Sequence, residues 1–240
     1  MPRMRGYGQF CPIAIAAQIL AQRWTLLVLR ELVLGARHFN DIRRGVPLMS
    51  PALLTRRLKQ LQEVGIVERV GGEYRLTAAG TELAPLLDMA GRWGRRWLGG
   101  TIARDQLDPG LLMWTVRRLF DPAPLPARRV VVEVAFSDVD RKKARWWLVV
   151  EAGAVDLCLH DPGHEVDVYV STDIRTLTEA LVGDLPLAQA MRSGALRVSG
   201  PAALVRSFER WWPKSPYASI APVRAQRPAR RPPQPASTVR

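Results

Sequence analysis

The stretch SPALLTRRLKQLQEVGIVERVGGEYRL, Ser50 to Leu76, constrains the fold more than any other part of the 240-residue chain. Ser50-Pro51 is a helix start: a serine side chain can accept from the first free amides, and proline suits the first turn. Advancing about 100° per residue, Leu58 and Leu61 fall within about 40° of Leu54. Three leucines therefore form one narrow stripe. Gly65 ends the helix. The runs Val67–Val70 and Glu73–Leu76 flank Gly71-Gly72, which predicts a hairpin. A one-striped helix leading directly into a two-stranded hairpin cannot bury its apolar side alone, so neighbouring segments must supply partners.

Those partners are legible on both sides. Ile13–Leu34 is apolar at helical spacing, through Ile15, Ile19, Leu26, Leu29 and Val33, and reads as one helix stopped by Gly35. A short helix, Asp41–Arg44, stops at Gly45 and Pro47. Thr77 caps a further helix carrying Leu83, Leu86, Leu87, Ala90, Trp93 and Trp97. Helix, short helix, helix, hairpin, helix is the winged helix-turn-helix plan, with Gly45–Met49 as its turn.

The polar side of the Ser50 helix is basic rather than merely hydrophilic. Arg56, Lys59 and Gln60 lie opposite the leucines with Ala52, and Thr55 flanks them. Arginine donates bidentately to guanine, glutamine pairs with adenine, and helix amides favour phosphate. Thr55, Arg56, Lys59 and Gln60 are the expected base readers. Arg37, Arg43, Arg44, Arg69 and Arg75 are expected on phosphates, and Ser50 and Arg57 complete the DNA-facing set.

Charge distribution agrees with this. Residues 1–100 carry 15 Lys/Arg against 7 Asp/Glu, residues 101–210 carry 14 against 15, and residues 211–240 carry 6 against none. A preference for arginine over lysine does not explain a neutral middle. A polyanion-binding unit joined to a unit with another task does.

The first hundred residues resemble the HxlR-type winged helix-turn-helix regulators. The matching segments are Cys11-Pro12, RWTLLVLREL at 23–32, RHFNDIRRGVPLMSPALLTRRLKQLQEVGIV at 37–67 and YRLTAAG at 74–80. The resemblance implies double-stranded DNA as partner and a homodimer formed through the N-terminal and Leu83–Trp97 helices. It also raises a redox role for Cys11, which requires an exposed thiol of lowered pKa. The hairpin tip, only Gly71-Gly72, is shorter than the usual wing.

The second half predicts a helix over Gly110–Phe120, then strands at Val130–Phe136, Trp146–Glu151, Ala154–His160 and Val166–Ser171. Helices follow at Asp173–Gly183 and Leu187–Ser193, a strand at Ala195–Ser199 and a last helix at Pro201–Trp212. This is an α+β unit with one helical layer on one sheet. The run from Val166 to Trp212 resembles the sterol-carrier-protein-like fold. That resemblance implies an apolar tunnel between sheet and helices, walled by Met113, Trp114, Phe136, Trp146, Leu177, Leu181, Met191 and Phe208, and a small apolar effector.

The expected domains are 1–99 for DNA binding and dimerisation, 100–213 for the effector, and a basic Pro-rich tail, 214–240, without stable structure. No nucleophile elbow, phosphate loop or CxxC pair points to an enzyme, a cofactor or a catalytic site. His160 and His164 bracket Asp161-Pro162-Gly163, which is turn chemistry rather than a metal site. Two cysteines and the lack of an 18-residue uncharged apolar run fit a cytoplasmic protein without a membrane span. A DNA-binding regulator is the principal reading. The alternative is a non-enzymatic lipid or small-molecule carrier that uses its N-terminal half only to dimerise.

Overall fold

The computed structural model describes residues 6–223. Helices α1 (Pro12–Leu20) and α2 (Thr25–Val33) occupy the segment expected to form one helix. The chain bends by 82° between them. Trp24 takes the left-handed conformation there, with φ 77°. A continuous helix would keep Ile13 and Ile15 in line with α2. The elbow instead leaves them exposed while α2 buries Val28, Leu29 and Leu32.

Helix α3 (Phe39–Gly45), helix α4 (Pro51–Glu63) and strands β1 (Val67–Val70) and β2 (Glu73–Leu76) follow as the sequence predicts. Ser50 caps α4, its hydroxyl accepting from the Leu53 amide at 3.3 Å. Leu54, Leu58 and Leu61 are each at most 1% exposed, and each contributes roughly 1.5–3 kcal/mol by burial. They close a core with Val28, Leu29, Leu32, Ile42, Val67 and Tyr74. Strands β1 and β2 pair antiparallel with Val70 opposite Glu73. Gly71 and Gly72 both have positive φ, 58° and 89°, the conformation that a two-residue turn of this hand requires.

Thr77 caps only one turn, α5 (Ala78–Thr81), and the helix restarts as α6 (Ala84–Trp93), with Pro85 in its first turn. A π-helical segment, Gly94–Leu98, extends it. Helix α7 (Pro109–Leu119) is capped by Asp108, which accepts from the Leu111 amide at 2.7 Å.

Strands β3 (Val130–Phe136), β4 (Arg145–Glu151), β5 (Ala154–Cys158) and β6 (Val168–Thr172) precede α8 (Ile174–Val182) and α9 (Leu187–Arg192). Strand β7 (Leu196–Ser199) leads to α10 (Ala202–Arg206) and α11 (Phe208–Trp211). The single last helix expected at Pro201–Trp212 is thus broken at Ser207, whose hydroxyl turns back to the Ala203 carbonyl at 2.9 Å. The five strands lie in the order β5-β4-β3-β6-β7. All pairs are antiparallel except β3 with β6. Residues of α7, α8 and the last helices cover one face through Val132, Val134, Leu148, Val168, Val170 and their neighbours. This is the α+β arrangement expected, a winged helix-turn-helix unit followed by one helical layer on one sheet.

The tail differs from expectation at its start. Residues 215–223 return across both halves of the chain. The Ser215 amide donates to Leu181 O at 2.8 Å, and the Val223 amide to Arg96 O at 2.7 Å. Tyr217 packs against α6 at Gly91. The remainder of the expected tail, 224–240, lies outside the described residues.

Candidate nucleic-acid interface and its link to the sheet domain

Helix α4 presents Thr55, Arg56 and Lys59 to solvent, and Arg43 is exposed near the end of α3. The Thr55 hydroxyl donates to Pro51 O at 3.0 Å. Lys59 lies 4.0 Å from Glu63 in an open i,i+4 pair, an interaction weak enough to yield to a phosphate. On the hairpin, Arg69 stacks on Tyr74 with 5.3 Å to the ring centre. Arg75 donates to Glu73 at 2.8 Å. That hydrogen bond, ahead of the Arg75, His38 and Arg37 charges, holds the Glu73 carboxyl below its ordinary pKa.

Other members of the expected set are engaged within the protein. Arg37 donates to Leu32 O and Ala36 O at 3.0 and 3.1 Å, so it closes the C-terminal end of α2. Arg57 donates to Gln60 Oε1 at 2.8 Å and to Arg23 O at 3.2 Å. It therefore ties α4 to the α1–α2 elbow and occupies the amide oxygen of Gln60. Partial burial, and then the Arg56 charge, lowers the Arg57 pKa. Arg44 pairs with Asp41 at 3.3 Å and lies 5.3 Å from the centre of the Trp114 ring. Ser50 serves as the helix cap. The sequence could not separate these roles, because helical phase places a side chain on a face without saying which backbone carbonyl lies within its reach.

Trp114, expected as a pocket wall, is instead the joint between the two halves. Its Nε1 donates to Glu31 at 3.4 Å. Glu31 is completely buried in α2. It also accepts from Arg30 at 2.8 Å and from Arg118 of α7. Arg117 and Arg118 flank the same indole, with 4.9 and 5.9 Å to the ring centre. Burial lowers the Arg118 pKa, opposed by the Glu31 charge and hydrogen bond. Arg30 also donates to Gly45 O at 2.8 Å, at the turn preceding α4. Sequence reasoning missed Glu31. Its signal was an acid three residues after Val28, on the buried phase of an otherwise apolar helix.

The remaining expected pocket residues lie together between the sheet and the helices. Met113, Phe136, Trp146, Leu177, Leu181 and Phe208 interlock as one buried cluster, and Met191 packs against it. Cys11 precedes α1 and is partly exposed. Cys158 lies on the face of the sheet opposite the helices and is also partly exposed. Burial, and then the Asp156 charge, pushes its thiol pKa up. The Asp161 carboxylate accepts from the Gly163 amide at 2.8 Å, the turn expected between His160 and His164.

Comparison with known proteins agrees with this geometry. Residues 19–101 match the HxlR-like helix-turn-helix family, and residues 122–211 match the SCP-2 sterol transfer family. The uncharacterized HTH-type transcriptional regulator YvaP of Bacillus subtilis is 35% identical over 99 residues, covering 38% of this chain and 92% of the relative. An uncharacterized HTH-type transcriptional regulator of Synechocystis is 38% identical over 98 residues, covering 38% of this chain and 73% of its own length. Quinone-bound YodB from B. subtilis shares 34% identity over 35% of this chain and 97% of its own, with a TM-score of 0.33. With its helix-turn-helix, short hairpin and matched relatives, the chain belongs to the HxlR-like helix-turn-helix family of transcriptional regulators.

Proposed function

We propose that two copies of this chain bind a two-fold operator, each placing α4 in a major groove. The outward position of Arg56, with Thr55 and Lys59 beside it on the N-terminal part of α4, carries this reading. Arg43, Arg69 and Arg75 supply phosphate contacts, while Arg57 ties the reading helix to the α1–α2 elbow. The two copies meet through surfaces exposed in the single chain. On α1 and just before it these are Ile13, Ile15 and Phe10; on α6 and its extension they are Met89, Trp93, Trp97 and Leu98. Contiguous apolar side chains of this size mark a protein interface. A two-fold axis then sets the reading helices about 34 Å apart, or a multiple of that.

The sheet domain is the regulatory part and carries out no catalysis. Its connection to α2 and α3 through Trp114, Arg118 and Glu31 supplies the physical route by which it acts on the reading helix. Retardation of promoter fragments by the full chain, compared with Arg56→Ala, tests the reading. The variant should fold normally and lose sequence preference. If it retards the same fragment as tightly and selectively as the parent, Arg56 does not read bases.

A further inference from the structure

The helices cover one face of the five-stranded sheet; the other face carries a second, differently built surface. Strand register aligns Cys158, Trp147, Glu133, Tyr169 and Ser199 in one row across all five strands of that face. Trp147 is only 7% exposed. Its indole Nε1 is buried and has no hydrogen-bond partner among the described residues. Trp147 and Leu159 are apolar walls of a cleft of about 720 Å³, within the roughly 300–1,000 Å³ typical of small-molecule sites.

The same cleft is edged by Arg141, Lys142 and Arg145, with Asp161 the acid on its wall. Arg145 shares Glu133 at 3.4 Å. Among the described residues no carboxylate lies within 4.0 Å of the Arg141 or Lys142 side-chain nitrogens. The Asp161 carboxylate is already engaged by the Gly163 amide. Apolar walls and a cationic rim are complementary to one chemistry: a hydrophobic body bearing a negative head.

We infer that this outer-face cleft binds a small amphiphilic carboxylate, its flat apolar body against Trp147 and its head between Arg141, Lys142 and Arg145. This location is on the opposite side of the sheet from the helix-covered core. Strand β5, which leads into Leu159 and Asp161, holds Arg117 through Val155 O at 2.9 Å. Arg117 in turn packs on Trp114. The ligand assignment deepens the regulatory reading of this domain but does not depend on DNA binding.

Calorimetric titration of the full chain with 2-naphthoate and with its neutral analogue 2-naphthamide tests the assignment. The carboxylate should bind saturably, one per chain, and more tightly than the amide. Arg141→Gln combined with Lys142→Gln alters exposed side chains only. It should weaken the carboxylate by about tenfold or more and leave the amide unchanged. Trp147→Phe, which keeps a ring in place, should weaken both. The proposal is overturned if the two probes bind equally, if the double variant binds naphthoate as the parent does, or if neither probe gives saturable heat. Displacement of naphthoate by random-sequence duplex DNA would also overturn it, assigning the rim to nucleic acid. Retardation of promoter DNA by the same double variant separates this outcome from failure of the regulator reading.

Discussion

The Glu31 carboxylate and the Arg118 guanidinium form a buried ion pair across the two halves of the chain, 87 residues apart in sequence. The Glu31 side chain is 0% and that of Arg118 is 6% exposed. Each charge is tolerable only because the other is present, with Arg30 and the Trp114 N–H completing the shell around Glu31.

Removing one partner should therefore cost more than removing both. Glu31→Ala is expected to destabilise the protein by about 3–5 kcal/mol, because it strands a buried guanidinium. Glu31→Met with Arg118→Met should cost clearly less than the sum of the single changes. Urea midpoints of the parent, Glu31→Ala, the two single Met variants and the double variant measure this. A loss below about 1 kcal/mol for Glu31→Ala would mean that water reaches the pair.

Gly45 sits where a side chain would collide with that carboxylate. A Cβ built there lies 2.0 Å from Glu31 Oε2. Gly45→Ala should lower the urea midpoint, and the loss should shrink in a Glu31→Ala background, because the obstruction is gone. Equal losses in both backgrounds would place the strain elsewhere.

The apolar side of α6 gives a test of assembly. Trp93 and Leu98 are 56% and 73% exposed in the single chain. Trp93→Glu with Leu98→Glu should leave the fold intact and halve the sedimenting mass, since two buried like charges per copy oppose docking. An unchanged mass would remove these residues from the interface.

DNA affinity should fall about 10³–10⁵-fold between 50 and 200 mM salt if 6–10 phosphates are contacted. Arg43→Gln should reduce that salt slope by about one without altering sequence preference. Arg57→Gln should act differently: its side chain holds Arg23 O and Gln60, so its loss should lower thermal stability as well as affinity. Fluorescence anisotropy across a salt series, paired with melting curves, separates the two behaviours.

Cys158 supplies a pH-dependent readout. Its folded thiol pKa is raised, by burial first and Asp156 second. The fold thus favours the protonated thiol. Its contribution to stability is full below the ordinary thiol pKa and is lost as pH rises through the folded value. Alkylation by iodoacetamide should follow a profile displaced to higher pH than that of a short unfolded peptide containing the same cysteine. In Asp156→Asn the profile should move part of the way back. An undisplaced profile in the parent would show that the thiol is fully hydrated.

The order of elements was legible because it depends on local signals. Ser50-Pro51, Gly71-Gly72 and Asp173 each mark a boundary through their own backbone chemistry, and period-two and helical patterns show what lies between. The family likeness of the first hundred residues rests on the same local information. Breaks inside helices were less legible. The bend at Trp24 and the interruption at Ser207 occur within patterns that read as continuous, because packing on different neighbours redirects each half.

The sequence by itself determined the helix-turn-helix, the basic side of α4 and the one-layered sheet domain, since periodicity and capping act between residues close along the chain. Tertiary structure alone decided which arginines remain free. It turned Arg37 and Arg57 inward and made Trp114 a joint between the two halves. It also brought Trp147 to the floor of a cleft with Arg141 and Lys142 at its rim. Those outcomes depend on which carbonyl, ring or carboxylate a distant segment delivers within a few ångströms, and periodicity along one segment holds no record of that.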